Sequence, residues 1–155
     1  MLRQDPVECL FSFLCSSNNH ISRIHGMVDR LCQRYGTPLA LDAPDAAGAA
    51  EAAGPGAKPA LSLYAFPSLL QLEAATDEAL RGEGYGYRAK FVVGTVAALN
   101  AKPSGGEAWL SSLRGVPYAE AAEALSALPG VGPKVRTRRL WLQPLGQLLG
   151  GGSRA

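Results

Sequence analysis

The sequence predicts an all-α fold, and two observations lead to this prediction. Apolar residues recur at helical spacing in several segments of the 155-residue chain. No convincing alternating strand pattern occurs, and the chain contains no Asn-Gly or Asp-Gly hairpin turn. With 47% hydrophobic and 18% charged residues, the composition is that of one globular domain with a hydrophobic core.

The first predicted helix begins at Pro6, because Asp5 is a favourable cap and proline suits a first helical turn. Its apolar positions follow helical spacing: Val7, Leu10, Phe11 and Leu14. The polar stretch SSNNH, residues 16–20, predicts a turn before a second helix that ends near Gly36. The apolar face of this second helix comprises Ile21, Ile24, Val28, Leu31 and Tyr35.

An Ala/Gly/Pro-rich segment at about residues 42–59 has no apolar period beyond alanine, so it is expected to be a flexible surface insertion. Short helices are expected after Pro67 and Thr76. A longer helix follows, with Phe91, Val92, Thr95, Val96 and Leu99 on one face. The last predicted helix begins near Pro117, and its residues Ala121, Leu125 and Leu128 are expected to face the core.

The stretch LPGVGPK, residues 128–134, predicts a tight turn between two helices. Gly130 and Gly132 permit a positive φ or a close approach of the backbone, and Val131 can anchor the turn in the core. Such a turn directs backbone N–H groups outward at a helix amino terminus, which suits a phosphate. The same pattern occurs in ordinary helix–helix turns, so the segment alone does not separate the two interpretations.

Charge and cysteine content limit the classes of protein that fit. The net charge is +2, but residues 136–155 hold four arginines and no acid, leaving 11 bases against 13 acids in residues 1–135. Nucleic-acid affinity of that part must therefore come from local placement of charge. The cysteines have no metal-binding spacing and are expected to be reduced core residues. No metal or cofactor is predicted.

Four segments together resemble one family. RQDPVECLFSFLCSSNNHISRIHGMVDRLC, FPSL, GYGYRAKFV and LPGVGPKV are similar, in this order, to the 8-oxoguanine DNA glycosylases of the helix-hairpin-helix superfamily. The resemblance covers residues 3–135 except the insertion, and it implies a partial glycosylase domain at residues 1–135. The segments SSNN and GYRA are more discriminating than the hairpin, which many DNA repair proteins share.

The resemblance implies a role for each matching residue. Lys134 would be the nucleophile that attacks C1′ of the damaged nucleotide and forms a Schiff base. Asn18, Arg23 and Arg88 would hydrogen-bond the cytosine left unpaired when oxidised guanine is flipped out, and Tyr87 would wedge beside it. Gly130, Val131 and Gly132 would form the phosphate-binding hairpin. Without the family, Asn18 and Asn19 are equally well explained as turn residues.

The chain departs from the family after Val135. Its tail, residues 136–155, is rich in Gly, Arg and Leu, and no aspartate or glutamate occurs after Glu123. The family places an activating acid beyond this point and supplies part of its base pocket from an amino-terminal domain. The expectation is therefore a truncated and catalytically impaired DNA N-glycosylase/AP lyase of base excision repair, acting on oxidised guanine opposite cytosine.

Two other functions fit the sequence. One is a non-catalytic DNA-binding or protein-interaction isoform, and the other is a related glycosylase of the endonuclease III type, which SSNN and GYRA disfavour. The predicted partner is double-stranded DNA containing oxidised guanine, bound by a monomer. The chain has neither 18 consecutive apolar residues nor a signal-peptide pattern, which predicts no membrane association and a cytosolic or nuclear chain. For a DNA repair enzyme, the expected location is the nucleus or the mitochondrion.

Overall fold

The computed structural model describes residues 4–39 and 63–132. The insertion at 42–59, Lys134 and the tail at 136–155 lie outside these ranges. The described residues form seven α-helices: α1 (Pro6–Cys15), α2 (Ile21–Tyr35), α3 (Leu69–Leu72), α4 (Asp77–Gly82), α5 (Arg88–Asn100), α6 (Gly106–Ser112) and α7 (Tyr118–Ser126). The predicted all-α class is confirmed, and none of the helices in 4–39 and 63–132 is long and apolar enough to cross a membrane.

The helix starts follow the capping residues that the sequence offers. Asp5 accepts hydrogen bonds from the backbone N–H groups of Val7 and Glu8, each at 2.9 Å, and Pro6 occupies the first turn of α1. Ser68 and Gln71 form a reciprocal capping box at α3, and the Thr76 hydroxyl caps α4. Local sequence therefore determines where these helices begin.

Two short strands were not predicted. β1 (Pro38–Leu39) pairs antiparallel with β2 (Leu63–Tyr64), with Pro38 opposite Tyr64. Gly36 ends α2 as predicted, and a Cβ at this position would lie 2.1 Å from the Ala65 carbonyl oxygen. Glycine is needed here because the chain returning from β2 approaches the backbone closely. Two residue pairs are too few to produce a visible alternation in sequence.

The core lies between α1 and the long helix α5. Leu10, Phe11, Leu14 and Cys15 of α1 are fully buried, as is Val92 of α5. Helices α2, α3, α4, α6 and α7 contribute further core residues, among them Met27, Leu31, Leu72, Leu80, Leu110, Ala121 and Leu125. Burial of so much apolar surface is the main stabilising contribution to this fold.

Candidate nucleic-acid interface

The turn between α1 and α2 contains the first group of predicted site residues. Asn18 is exposed and has a φ of +44°, a left-handed conformation that asparagine tolerates better than most residues. The Asn19 amide nitrogen donates to the Cys15 carbonyl at 3.0 Å, and its side-chain oxygen accepts from the His20 N–H at 3.1 Å. Asn19 thus stabilises the turn, whereas the side chain of Asn18 stands at the surface.

Two side chains from the start of α5 bind this turn through the Ser17 carbonyl oxygen. The Tyr87 hydroxyl donates to it at 3.0 Å, and the Arg88 Nε donates to it at 2.9 Å. The Arg88 Nη2 donates to the same oxygen and to the Asn18 carbonyl at 2.8 Å. Asn18, Tyr87 and Arg88, three of the predicted DNA contacts, are therefore adjacent, although about 70 positions separate Asn18 from the other two in the chain.

Tyr87 and Arg88 differ sharply in exposure. Arg88 is only 4% exposed, so its guanidinium depends on protein partners, whereas Tyr87 is 46% exposed. The Arg88 guanidinium carbon lies 4.6 Å from the centre of the Tyr87 ring, within cation–π distance. Part of an aromatic ring thus remains available at the surface, next to Asn18.

Arg23 lies on the exposed side of α2, and its Nη2 donates to the Gly84 carbonyl at 3.0 Å. This contact joins α2 to the turn that precedes α5. In that turn Gly84 and Gly86 have φ values of +85° and +58°, which glycine adopts without strain. The buried Tyr85 hydroxyl donates to the Met27 carbonyl of α2, which fixes the same turn.

The turn at residues 128–132 has the features that the sequence predicted for its first half. Gly130 has a φ of +79°, and Val131 is 9% exposed and belongs to the core. The Val131 N–H donates to the Leu128 carbonyl at 3.2 Å and closes the turn. Gly132 does not have a positive φ, and among the described residues a Cβ on it would meet nothing within 4 Å.

Helix α5 also supports this turn. The Thr95 hydroxyl donates to the Pro129 carbonyl at 3.0 Å, and Thr95 is fully buried. A Cβ on Gly130 would lie 2.5 Å from Cγ of Phe91, so the glycine backbone packs directly on the phenylalanine. Phe91 and Thr95 were predicted only as members of an apolar helix face. Their contacts with the turn depend on tertiary packing, which no local motif reveals.

Cys9 and Cys15 are free and buried, in agreement with their prediction as reduced core residues. Burial raises the pKa of the Cys15 thiol to about 12, so the thiol stays protonated at alkaline pH values at which an exposed cysteine ionises. In residues 4–39 and 63–132 no three His, Cys, Asp or Glu side chains are grouped as they would be to bind a metal ion. The structure assigns no role to Lys134, which lies outside the described ranges.

The fold is shared with solved 8-oxoguanine glycosylases. No family model matches the chain. The structure of the 8-oxoguanine glycosylase/lyase of Clostridium acetobutylicum, in complex with double-stranded DNA containing cytosine opposite 8-oxoguanine, superposes with a TM-score of 0.66 and 30% identity. The match covers 87% of this chain and 39% of that one.

Curated relatives are similar over the same share of the chain. It is 49% identical over 135 residues to the N-glycosylase/DNA lyase OGG1 of Arabidopsis thaliana and 34% identical over 143 residues to the N-glycosylase/DNA lyase of Saccharomyces cerevisiae. Each match covers 87% of this chain and about a third of the relative, 32% and 34% respectively. The resemblance found in the sequence is confirmed: the chain is a partial homologue of the 8-oxoguanine DNA glycosylases.

Proposed function

We propose that the surface formed by the 16–20 turn, the start of α5 and the 128–132 turn binds double-stranded DNA. We propose further that the protein acts in base excision repair as an N-glycosylase/DNA lyase for oxidised guanine opposite cytosine. The single observation that carries this proposal is the Ser17 carbonyl contact set, because it brings Asn18, Tyr87 and Arg88 together. The identity to N-glycosylase/DNA lyases supports it independently.

The half-exposed Tyr87 ring is suited to contact the stack beside an extruded nucleotide. Every base has an apolar face, so an aromatic ring can replace the stacking that a flipped base loses. The exposed Asn18 amide, next to it, carries both donors and acceptors for the edge of the unpaired base. The two side chains would act together: the Tyr87 ring would fill space in the stack, and the Asn18 amide would make polar contacts with the unpaired base.

Arg23 and Arg88 are proposed to contribute differently to recognition of the unpaired cytosine. Arg23 is exposed, and to reach a base it would give up its hydrogen bond to the Gly84 carbonyl. The buried Arg88 already donates to the Ser17 and Asn18 carbonyls, so its contribution includes holding the turn in place. Loss of either arginine is expected to reduce the preference for cytosine over the other three opposite bases.

The proposed chemistry is assigned to Lys134 by its match to the family motif. Its neutral amine would attack C1′ and displace the oxidised base, and loss of the amine protons with opening of the sugar would give a Schiff base. β-Elimination would then break the bond between C3′ and its oxygen and cleave the strand. The amine must be unprotonated, so this step requires an environment that lowers the pKa of the lysine.

A second function, DNA binding with little turnover, is favoured by one observation in the sequence. Residues 135–155 contain no aspartate or glutamate, so this stretch offers no side-chain carboxylate to orient the amine or stabilise the developing sugar cation. We propose that this 155-residue chain binds lesion-containing DNA but releases the base far more slowly than the roughly 1–1000 turnovers per second common among enzymes.

The test combines binding and trapping with the 155-residue chain. Fluorescence anisotropy with an 8-oxoguanine:cytosine duplex should show binding that weakens with salt, by roughly 0.9 log unit per log unit of salt for each phosphate contact. Borohydride trapping should give a weak cross-link that Lys134→Gln abolishes without changing affinity. Absence of binding would overturn the proposed function, and rapid lysine-dependent base release would overturn the proposal of impaired turnover alone.

A further inference from the structure

The N-cap residue of α5 and two residues of the helix itself connect the two turns of the candidate interface. Tyr87, Phe91 and Thr95 are spaced four apart, which places them in one row along a helix. At one end the Tyr87 hydroxyl donates to Ser17, and at the other the Thr95 hydroxyl donates to Pro129, each at 3.0 Å. The row therefore spans the distance between the 16–20 turn and the 128–132 turn.

Phe91 lies between the Tyr87 ring and the 128–132 turn. Its ring lies edge-on to the Tyr87 ring, with centroids 5.7 Å apart and planes at 80°. On the other side it touches the backbone of Gly130, where a Cβ would lie 2.5 Å from Cγ and 2.7 Å from Cβ of Phe91. One side chain thus separates the exposed tyrosine ring from the backbone of the hairpin turn.

The fit around Phe91 is tight on the side of the turn. A Cβ on Gly94, the residue facing Pro129, would lie 3.2 Å from the proline ring. The turn consequently has little room to move toward α5, while Thr95 prevents it from moving away. An edge-to-face ring pair has a preferred geometry that a branched aliphatic side chain of similar size does not reproduce.

We propose that Phe91 is a positioning residue that fixes the Tyr87 ring relative to the 128–132 turn, so that both engage one DNA duplex together. The inference rests on the proposed function, since it assumes that both elements contact DNA. Phe91 itself is partly buried and packs against the core. Its effect on DNA would therefore pass through Tyr87 and Gly130.

The experiment uses the 155-residue chain and a duplex that carries a tetrahydrofuran abasic analogue opposite cytosine, with 2-aminopurine beside that cytosine. Fluorescence of 2-aminopurine rises when the neighbouring stack is opened, and at saturating protein the rise does not depend on affinity. The variants are Phe91→Leu, Phe91→Met and Phe91→Tyr. Phe66→Leu is the matched control, because Phe66 is also partly buried and pairs with a ring, that of Phe11 at 6.3 Å.

Wild-type protein is expected to raise the fluorescence. The variants Phe91→Leu and Phe91→Met are expected to give a smaller rise and to bind the duplex about 2- to 10-fold more weakly. Phe91→Tyr keeps the ring and should therefore show the wild-type fluorescence rise and the wild-type DNA affinity. Phe66→Leu should lower only the melting temperature. In a Tyr87→Leu background, Phe91→Leu should produce no further loss of fluorescence.

Two results would overturn the inference, and they can be told apart. If wild-type protein binds the duplex and opens the stack, but Phe91→Leu or Phe91→Met does so equally well, Phe91 is a core residue only and the proposed function stands. If wild-type protein fails to bind the duplex, the proposed function fails and the inference with it. If the Phe91→Leu variant does not fold, the fluorescence rise of Phe91→Met, measured at the same saturating concentration, tests the inference instead.

Discussion

A single carbonyl oxygen organises the candidate interface. Ser17 O accepts from the Tyr87 hydroxyl and from two nitrogens of Arg88. A charged donor strengthens such bonds, and the near-complete burial of Arg88 excludes competing water. The exposed Asn18 is held in its left-handed conformation by the same arginine, through its own carbonyl. The shape of this surface therefore depends on Arg88, which is itself almost completely buried.

This arrangement predicts unequal effects on stability for the two arginines. Arg88→Met should lower the free energy of unfolding by about 1–3 kcal/mol, because it leaves the Ser17 and Asn18 carbonyls short of donors. Arg23→Met, at an exposed position, should change it by no more than about 0.5 kcal/mol. Urea unfolding followed by circular dichroism measures both values. Equal losses for the two variants would contradict this account of Arg88.

A second prediction at the residue scale concerns alkaline pH. Burial raises the pKa of Cys15 from 9.0 to about 12, an effect that the nearby Arg88 and Arg30 partly offset. Above pH 9 the unfolded thiol loses its proton while the folded one keeps it, so stability falls as pH rises. The contribution of the Cys15 thiol to the free energy of unfolding is complete below the pKa of the unfolded state. It is lost progressively as the pH rises from that pKa to the pKa of the folded state.

The measurement compares wild type with Cys15→Ala between about pH 8 and pH 10.5. At about pH 10 the wild type should have lost about 1.4 kcal/mol more than the variant, relative to each protein at the lower pH. Tyr85, whose pKa burial also raises, is present in both proteins, and its contribution largely cancels in the comparison. Parallel pH profiles for the two proteins would show that Cys15 ionises equally in both states.

At the scale of elements, the 128–132 turn uses its two glycines differently. Gly130 adopts a φ of +79° and packs on Phe91, so it fulfils both conditions that require glycine. Gly132 fulfils neither among the residues that the structure describes. Backbone strain in the left-handed region and a clash with a ring add to each other at Gly130.

Gly130→Ala should therefore lower the free energy of unfolding by about 1–3 kcal/mol, and Gly132→Ala should leave it within about 0.5 kcal/mol of wild type. Thermal melting measures this difference. DNA affinity, measured by anisotropy, should fall for Gly130→Ala in all duplex sequences, because phosphate contacts carry no sequence information. A Gly132→Ala loss of stability as large as that of Gly130→Ala would contradict this assignment.

The starts of α1, α3 and α4 were predictable because Asp5, Ser68 and Thr76 act on residues two or three positions away. The Arg88–Ser17 contact was not, because 71 positions separate the two residues. The family motif marked Tyr87 and Arg88 as important, but it did not indicate that Arg88 would be buried. Nor did it single out Phe91 and Thr95, whose spacing is equally typical of a core.

At the scale of the whole molecule, three distant segments share one support. The turn at 16–20 is hydrogen-bonded to the amino-terminal residues of α5, and the turn at 128–132 is hydrogen-bonded to Thr95 within the helix. Helix α5 in turn packs on α1 in the core. The role of Lys134 in catalysis stays a prediction, and so do the DNA-binding roles of the other site residues: Asn18, Arg23, Tyr87, Arg88, Gly130, Val131 and Gly132. The division at residue 135 and the nuclear or mitochondrial location also remain predictions.

The pairing of β1 with β2 has a consequence for how the chain tolerates changes in length. Pro38 lies opposite Tyr64, so residues 40–62 leave and re-enter the described fold at neighbouring points. The entropic cost of closing a loop rises only with the logarithm of its length, by about 0.6 kcal/mol for each doubling. Replacing residues 42–59 with a linker of half that length should therefore change the free energy of unfolding by no more than about 1 kcal/mol, as measured by urea unfolding. A much larger loss would show that this segment contributes contacts of its own. If the small change is observed, the chain can be lengthened or shortened at this position at little thermodynamic cost, while the helices on either side keep their spacing.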